Sequence, residues 1–130
     1  MMNRSPPEIL TITLNPAVDI STSVDRIEPV RKLRCRAEVR SAGGGGINVA
    51  RVVSRLGGSV TAVFTAGGVV GEQLKQLVAS ENVPSLALPV AGQTRESFTV
   101  VDETTKDEFR FVMPGPVLAE PEWQACEEQI

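Results

Sequence analysis

Ser41-Ala42-Gly43-Gly44-Gly45-Gly46-Ile47-Asn48-Val49-Ala50 decides the fold of this chain, because four consecutive glycines there run straight into an apolar-periodic segment. Ile47, Ala50, Val53 and Leu56 recur at helical spacing, Arg51, Ser54 and Arg55 turn elsewhere, and Gly57-Gly58 supplies a stop. Glycines ahead of a helix let the backbone approach a ligand closely. The helix N-terminus then offers unpaired N–H groups and a partial positive charge to hydroxyl or phosphate oxygens. A bound polar ligand is one reading; a flexible loop before an ordinary helix is the other. Two nucleotide motifs are excluded. The run lacks the Gly-Lys-Ser/Thr ending of a Walker A loop, and the third glycine of a dinucleotide fingerprint counted from Gly43 falls on Asn48.

Upstream, residues 9–14 form a short β-branched, apolar run ending in Asn15-Pro16, a buried strand leading into a turn. Residues beyond Leu14 belong to the loop at a strand's C-terminal end, where ligand groups gather in open α/β sheets. Residues 20–27 and 33–39 alternate and are separated by the turn-prone Glu28-Pro29. In the second of these strands Leu33, Cys35, Ala37 and Val39 are expected to share a half-buried face, with Lys32, Arg34, Arg36 and Arg40 on the other. Downstream of the glycines come a strand at 59–66, Gly67-Gly68, a helix at 71–81, the break Asn82-Val83-Pro84 and an apolar run at 85–90. Strand, helix, strand, helix, strand at this spacing predicts right-handed βαβ units on a parallel sheet.

A second hairpin is predicted, with 98–102 and 108–113 flanking a polar turn and Phe109, Phe111 and Met113 on one face. The fold class is therefore α/β: a parallel sheet flanked by helices, interrupted by antiparallel segments at about 20–41 and 94–113 that form a small sheet of their own. Residues 1–8 are expected to be disordered and 9–130 to be one unit. The acidic helix begun at Pro121 is expected to stop at Ile130 in mid-element.

At 130 residues with a formal net charge of −3, the chain has the size of one domain. No stretch approaches the roughly 20 apolar residues of a membrane helix, and Pro6-Pro7 interrupts any secretory signal, so a cytoplasmic address is expected. Cys35 and Cys126 are isolated thiols and are expected to be buried apolar groups. The chain has no His, which removes the usual general base and the commonest metal ligand. The acidic balance argues against nucleic acid. The basic stretch 32–40 reads instead as an edge protected against aggregation, with nucleic-acid contact a minor alternative lacking an aromatic platform.

Gly45-Gly46-Ile47-Asn48-Val49-Ala50, with Gly57 after the helix and Gly67 after the next strand, resembles the N-terminal signature of the ribokinase-like carbohydrate kinases, the PfkB family. Thr11-Ile12-Thr13-Leu14-Asn15-Pro16-Ala17-Val18-Asp19 looks like the first strand and sugar-binding Asp of the phosphosugar-kinase branch. With Lys32-Leu33-Arg34-Cys35, Thr94-Arg95 and Arg110-Phe111-Val112-Met113-Pro114-Gly115, the chain is similar to the bacterial 6-phosphofructokinases of that family from Ile9 onward. Close relatives acting on fructose 1-phosphate usually have a Lys within the glycine run, which here is all Gly from Gly43 to Gly46, so the resemblance favours fructose 6-phosphate.

The resemblance implies that Asp19 accepts hydrogen bonds from sugar hydroxyls, that Asn48 reads a neighbouring hydroxyl, and that Gly44, Gly45 and Gly46 line the site. Lys32 and Arg95 resemble cationic contacts to the substrate phosphate. Read without it, Asp19 is equally a turn or cap residue, Asn48 a cap, and Lys32 and Arg95 solvated charges. The family's two hairpins form a β lid that pairs two subunits, for which Phe98, Val100, Phe109, Phe111 and Met113 qualify; packing within their own subunit is the alternative. ATP and Mg2+ are implied for the intact enzyme and neither for this chain alone. The family's Gly-Ala-Gly-Asp segment with its catalytic Asp does not occur here, and the acids Asp102-Glu103 and Asp107-Glu108 read as solvated turn charges, so no catalytic residue is assigned. The chain is accordingly expected to be the sugar-phosphate-binding part of a longer kinase. Kinases of fructose 1-phosphate or tagatose 6-phosphate, or a non-catalytic binding and dimerisation module, are the alternatives.

Overall fold

A computed structural model describes residues 8–130, so the expectation for residues 1–8 lies almost wholly outside the described residues. In chain order the elements are β1 (Ile9–Thr13), β2 (Ala17–Val24), β3 (Val39–Gly43), α1 (Gly45–Arg55), β4 (Val60–Ala66), α2 (Gly68–Ser80), β5 (Ser85–Pro89), β6 (Arg95–Asp102), β7 (Glu108–Phe111) and α3 (Glu120–Glu127).

The parallel sheet runs β1-β4-β5. Its middle strand, Val-Thr-Ala-Val-Phe-Thr-Ala, is buried along nearly its whole length, as a continuous apolar strand between two neighbours and two helices should be. Ile47 and Ala50 of α1 and Leu74 and Val78 of α2 bury against Ala62 and Phe64. Phe64 is 1% exposed, and truncating it to Ala is worth about 3–5 kcal/mol of stability. Gly71 lets α2 lie directly on β4, since a Cβ there would stand 2.9 Å from the Ala66 carbonyl carbon.

The second sheet runs β3-β2-β6-β7 and corrects the expectation of an antiparallel lid. β2 and β3 pair antiparallel, as do β6 and β7, but β2 and β6 pair parallel from Ala17 opposite Arg95 to Val24 opposite Asp102. Both strands leave the carboxyl ends of the parallel sheet, β2 from β1 and β6 from β5, so they depart in the same direction and pair that way. Val18 and Ile20 of β2 belong to the common core, which fuses the root of the lid to the α/β layer. The same apolar face continues through Phe98, which is 38% exposed, to Phe109 and Phe111.

The strand expected at 33–39 is also corrected. Only Val39 belongs to β3, residues 31–39 are exposed, and Leu33, Cys35, Ala37 and Val39 share no buried face. The segment still lies along β2, because Arg36 N–H donates to the Ser23 carbonyl at 2.9 Å and Thr22 Oγ1 donates to the Arg36 carbonyl at 2.8 Å. The basic residues separate accordingly. Arg36 pairs with Asp25 and Glu103, whereas Arg40 sits opposite Ile20 and reaches Glu96 and Gln73 at 3.0 and 3.1 Å. Of the two thiols, Cys126 is buried as expected and Cys35 is exposed.

Candidate sugar-phosphate cleft

Period-two alternation gives the lid sheet one face on which Val18, Ile20 and Phe98 sit with the Arg40–Glu96 pair, and a second face that is polar throughout the cleft. Register places Asp19 opposite Ser41 and Ser97, Ser21 opposite Thr99, and Thr99 opposite Arg110. This polar face meets the start of α1 across a cleft of about 370 Å3, lined among others by Asp19, Ser41, Gly44, Asn48, Arg95 and Arg110. Asp19 is thus a strand residue within β2, not a turn or helix cap, and α1 begins at Gly44 without a side-chain cap. Asp19 and Asn48, far apart in sequence, line one cavity.

The glycines divide their tasks. A Cβ on Gly43 would stand 2.0 Å from Asp19 Oδ2, so the acid packs directly on the Gly43 backbone. Gly44 has φ of 124°, in the region that favours glycine, and turns the chain from β3 into α1. Gly46 lies on β1, where a Cβ would stand 2.4 Å from Thr13 Oγ1, and Gly45 faces open space with nothing within 4 Å. Of the expected glycines, Gly44 lines the cleft itself, while Gly46 brings the helix down onto β1.

Burial pushes the Asp19 carboxyl up from its ordinary value, against the opposing pull of Arg95, Arg110 and Arg51. The acid therefore sits partly desolvated among three cations. Asn48 is exposed, and its Oδ1 accepts from Arg51 Nη1 at 2.8 Å. Arg95 lines the cleft, but its guanidinium also clamps the chain: Nη2 and Nε donate to the Asn15 carbonyl at 2.9 and 3.3 Å, and Nη1 to the Met113 carbonyl at 3.1 Å. Lys32 lies in the exposed 31–39 segment and is not among the residues lining the cleft.

Motif reasoning leaves Arg110 without a role, although its place between Phe109 and Phe111 puts it on the polar face beside Asp19. The turn acids are not simply solvated. Asp102 is buried and accepts backbone N–H bonds from Ile27, Thr104 and Thr105 at 3.0, 2.9 and 3.0 Å, and Glu103 accepts from Ser23 Oγ at 2.7 Å.

The pattern of one acceptor-only carboxylate, one amide, several hydroxyls and two arginines around a glycine turn suits a phosphorylated polyol. The family model described as "pfkB family carbohydrate kinase" matches residues 11–130. The ATP-dependent 6-phosphofructokinase isozyme 2 of Mycobacterium tuberculosis is 49% identical over 124 residues, 95% of this chain and 37% of that protein. The isozyme 2 of Escherichia coli is 48% identical over 94% of this chain and 40% of its own length. The crystal structure of phosphofructokinase-2 from Escherichia coli in complex with fructose-6-phosphate superimposes with a TM-score of 0.90 at 48% identity, covering 95% of this chain and 41% of that one. The chain thus spans about two-fifths of the length of these relatives.

Proposed function

The chain belongs to the pfkB family of carbohydrate kinases, and on that premise we propose that it forms the sugar-phosphate-binding part of an ATP-dependent 6-phosphofructokinase, the enzyme that converts fructose 6-phosphate to fructose 1,6-bisphosphate. The observation that carries this reading is the shared cleft of Asp19 and Asn48, flanked by Arg95 and Arg110. In it the Asp19 carboxylate accepts from sugar hydroxyls, and Asn48 with the Gly44 turn contacts a neighbouring oxygen. The two arginines supply the positive field for the phosphate, Arg110 from β7 and Arg95 with whatever donors its clamp leaves free. Lys32 takes no part in the cleft of its own chain.

ATP and Mg2+ belong, in this reading, to the whole kinase and not to these residues. A homodimer through the exposed lid face of Phe98, Phe109 and Phe111 is part of the proposal. Among the described residues no helix is long and apolar enough to cross a membrane, and a cytoplasmic place of action completes the reading.

Calorimetric titration of the chain with fructose 6-phosphate, fructose 1-phosphate, tagatose 6-phosphate and inorganic phosphate tests the reading. Saturable binding is expected to be tightest for fructose 6-phosphate. A site that takes inorganic phosphate as well as any sugar would contradict it. Incubated alone with ATP and fructose 6-phosphate, the chain is expected to give no turnover above a no-enzyme blank.

A further inference from the structure

Arg51 occupies an unusual position for a helix cation. Its side chain is only 16% exposed, and its guanidinium reaches three separate elements. Nη1 donates to Asn48 Oδ1 at 2.8 Å within α1, and Nη2 donates to the Ala42 carbonyl at 2.6 Å at the end of β3. Nε donates to Glu81 Oε2 and Nη2 to Glu81 Oε1 at 3.2 Å, a two-pronged pairing with the residue that closes α2. Ala42 immediately precedes Gly43, on which the Asp19 carboxylate rests.

We propose that Arg51 is the positioning residue of the cleft, held by Glu81, and that it fixes Asn48 as a hydrogen-bond donor to the ligand. A guanidinium has donors and no acceptor, so the carboxamide of Asn48 must turn its oxygen toward Arg51. Its NH2 group then faces away from Arg51 and remains for the ligand in the cleft that Asn48 lines. Asp19, ionised, can only accept. The cleft therefore presents one fixed donor and one fixed acceptor, which matches a polyol oxygen that accepts beside a hydroxyl that donates. A ligand lacking either leaves a polar group unpaired. The bond to Ala42 ties the strand end behind Asp19 to the same guanidinium, and Glu81 makes the orientation depend on α2.

This inference rests on the sugar-phosphate reading of the cleft, and a double-mutant cycle separates the two. Fructose 6-phosphate is titrated by NMR into the wild-type chain, Asn48→Ala, Arg51→Met and the double variant. Asn48→Ala alone tests the site, and unchanged affinity there defeats the sugar reading. Arg51→Met is expected to weaken binding about tenfold with Asn48 present and about twofold without it, because most of its effect travels through the amide. The same factor in both backgrounds overturns the proposal while leaving the sugar reading intact. Should Arg51→Met not fold, Arg51→Lys keeps the charge without the fork and is expected to show the same dependence on Asn48. A measurement without ligand stands beside these. The side-chain NH2 resonances of Asn48 are expected to shift, and their two protons to interchange faster, in either Arg51 variant. Resonances identical to wild type would overturn the proposal whatever the sugar does.

Discussion

The carboxylate of Asp19 occupies the space that a side chain at Gly43 would need, since a Cβ at that position would stand 2.0 Å from Oδ2 and 2.6 Å from Cγ. The acid that faces the cleft is thus shaped by a glycine on the neighbouring strand, through the register that sets Ala17 opposite Gly43 and Asp19 opposite Ser41. Gly43→Ala is expected to drive Asp19 out of its rotamer, at about 1–3 kcal/mol of stability, and to weaken fructose 6-phosphate binding about tenfold or more. Gly45→Ala, with nothing within 4 Å of the added methyl, should change stability by no more than about 1 kcal/mol. Thermal melts and titrations of the two variants make the comparison; equal effects would mean that the close approach at Gly43 does not matter.

Asp102 is the clasp between the two halves of the lid, joining Ile27 to the turn at Thr104 and Thr105. The backbone N–H of Ile27, then that of Thr105, hold its carboxyl below the ordinary value of 3.8. For an acid whose folded value lies below its unfolded one, the stabilisation is present above the unfolded value and disappears as pH falls through the folded one. The melting temperature of the wild-type chain is therefore expected to drop more steeply on acidification below about pH 4 than that of Asp102→Asn, which lacks the titrating group. Parallel acid limbs for the two proteins would remove Asp102 from the account. Amide exchange at residues 25–27 and 103–105 should also quicken in the variant.

The apolar face of the lid leaves Phe98 at 38%, Phe109 at 38% and Phe111 at 52% exposure beyond the part covered by the core. This exposed aromatic surface is what the proposed lid contact would cover. Phe111→Glu is expected to shift the sedimentation of the chain toward monomer without lowering its melting temperature by more than a few degrees. A wild-type chain that sediments as a monomer at every concentration would contradict the proposed lid contact.

The parallel sheet and its helices are legible in the sequence because their signals are local: a buried strand such as β4 is a continuous apolar run, α1 runs from the glycine run to Gly57-Gly58, and α2 from Gly67-Gly68 to the break at Asn82-Val83-Pro84. The lid is legible as a separate sheet but not in its pairing. Nothing in the alternation of residues 17–24 or 95–102 states that the two strands lie parallel, since that depends on where each leaves the main sheet. Residues 33–39 show why alternation alone misleads, for the pattern of a half-buried strand is present there with no neighbour to cover it.

In the cleft, Asp19 and Asn48 stand out through the resemblance of the first strand and the glycine run to the PfkB signature; read without it, each also has a turn or cap reading. Motif context draws in Lys32, which lies outside the cleft, and passes over Arg110, although strand periodicity places it on the polar face. The pairing of Arg51 with Asn48 follows an i,i+3 helix spacing, but its bonds to Ala42 and Glu81 cross to β3 and α2, and no spacing in the chain encodes those.

The most direct test of the account is the affinity of fructose 6-phosphate for the wild-type chain, for Asp19→Asn and for Asp19→Ala, measured by calorimetry at pH 7 with inorganic phosphate as the control ligand. Asp19→Asn turns one acceptor oxygen into a donor and Asp19→Ala removes both, and each is expected to weaken the sugar by about tenfold or more, or about 1.4 kcal/mol, with little change for inorganic phosphate. Equal affinity of all three proteins for the sugar phosphate would contradict the claim that this cleft grips a phosphorylated ketose through Asp19.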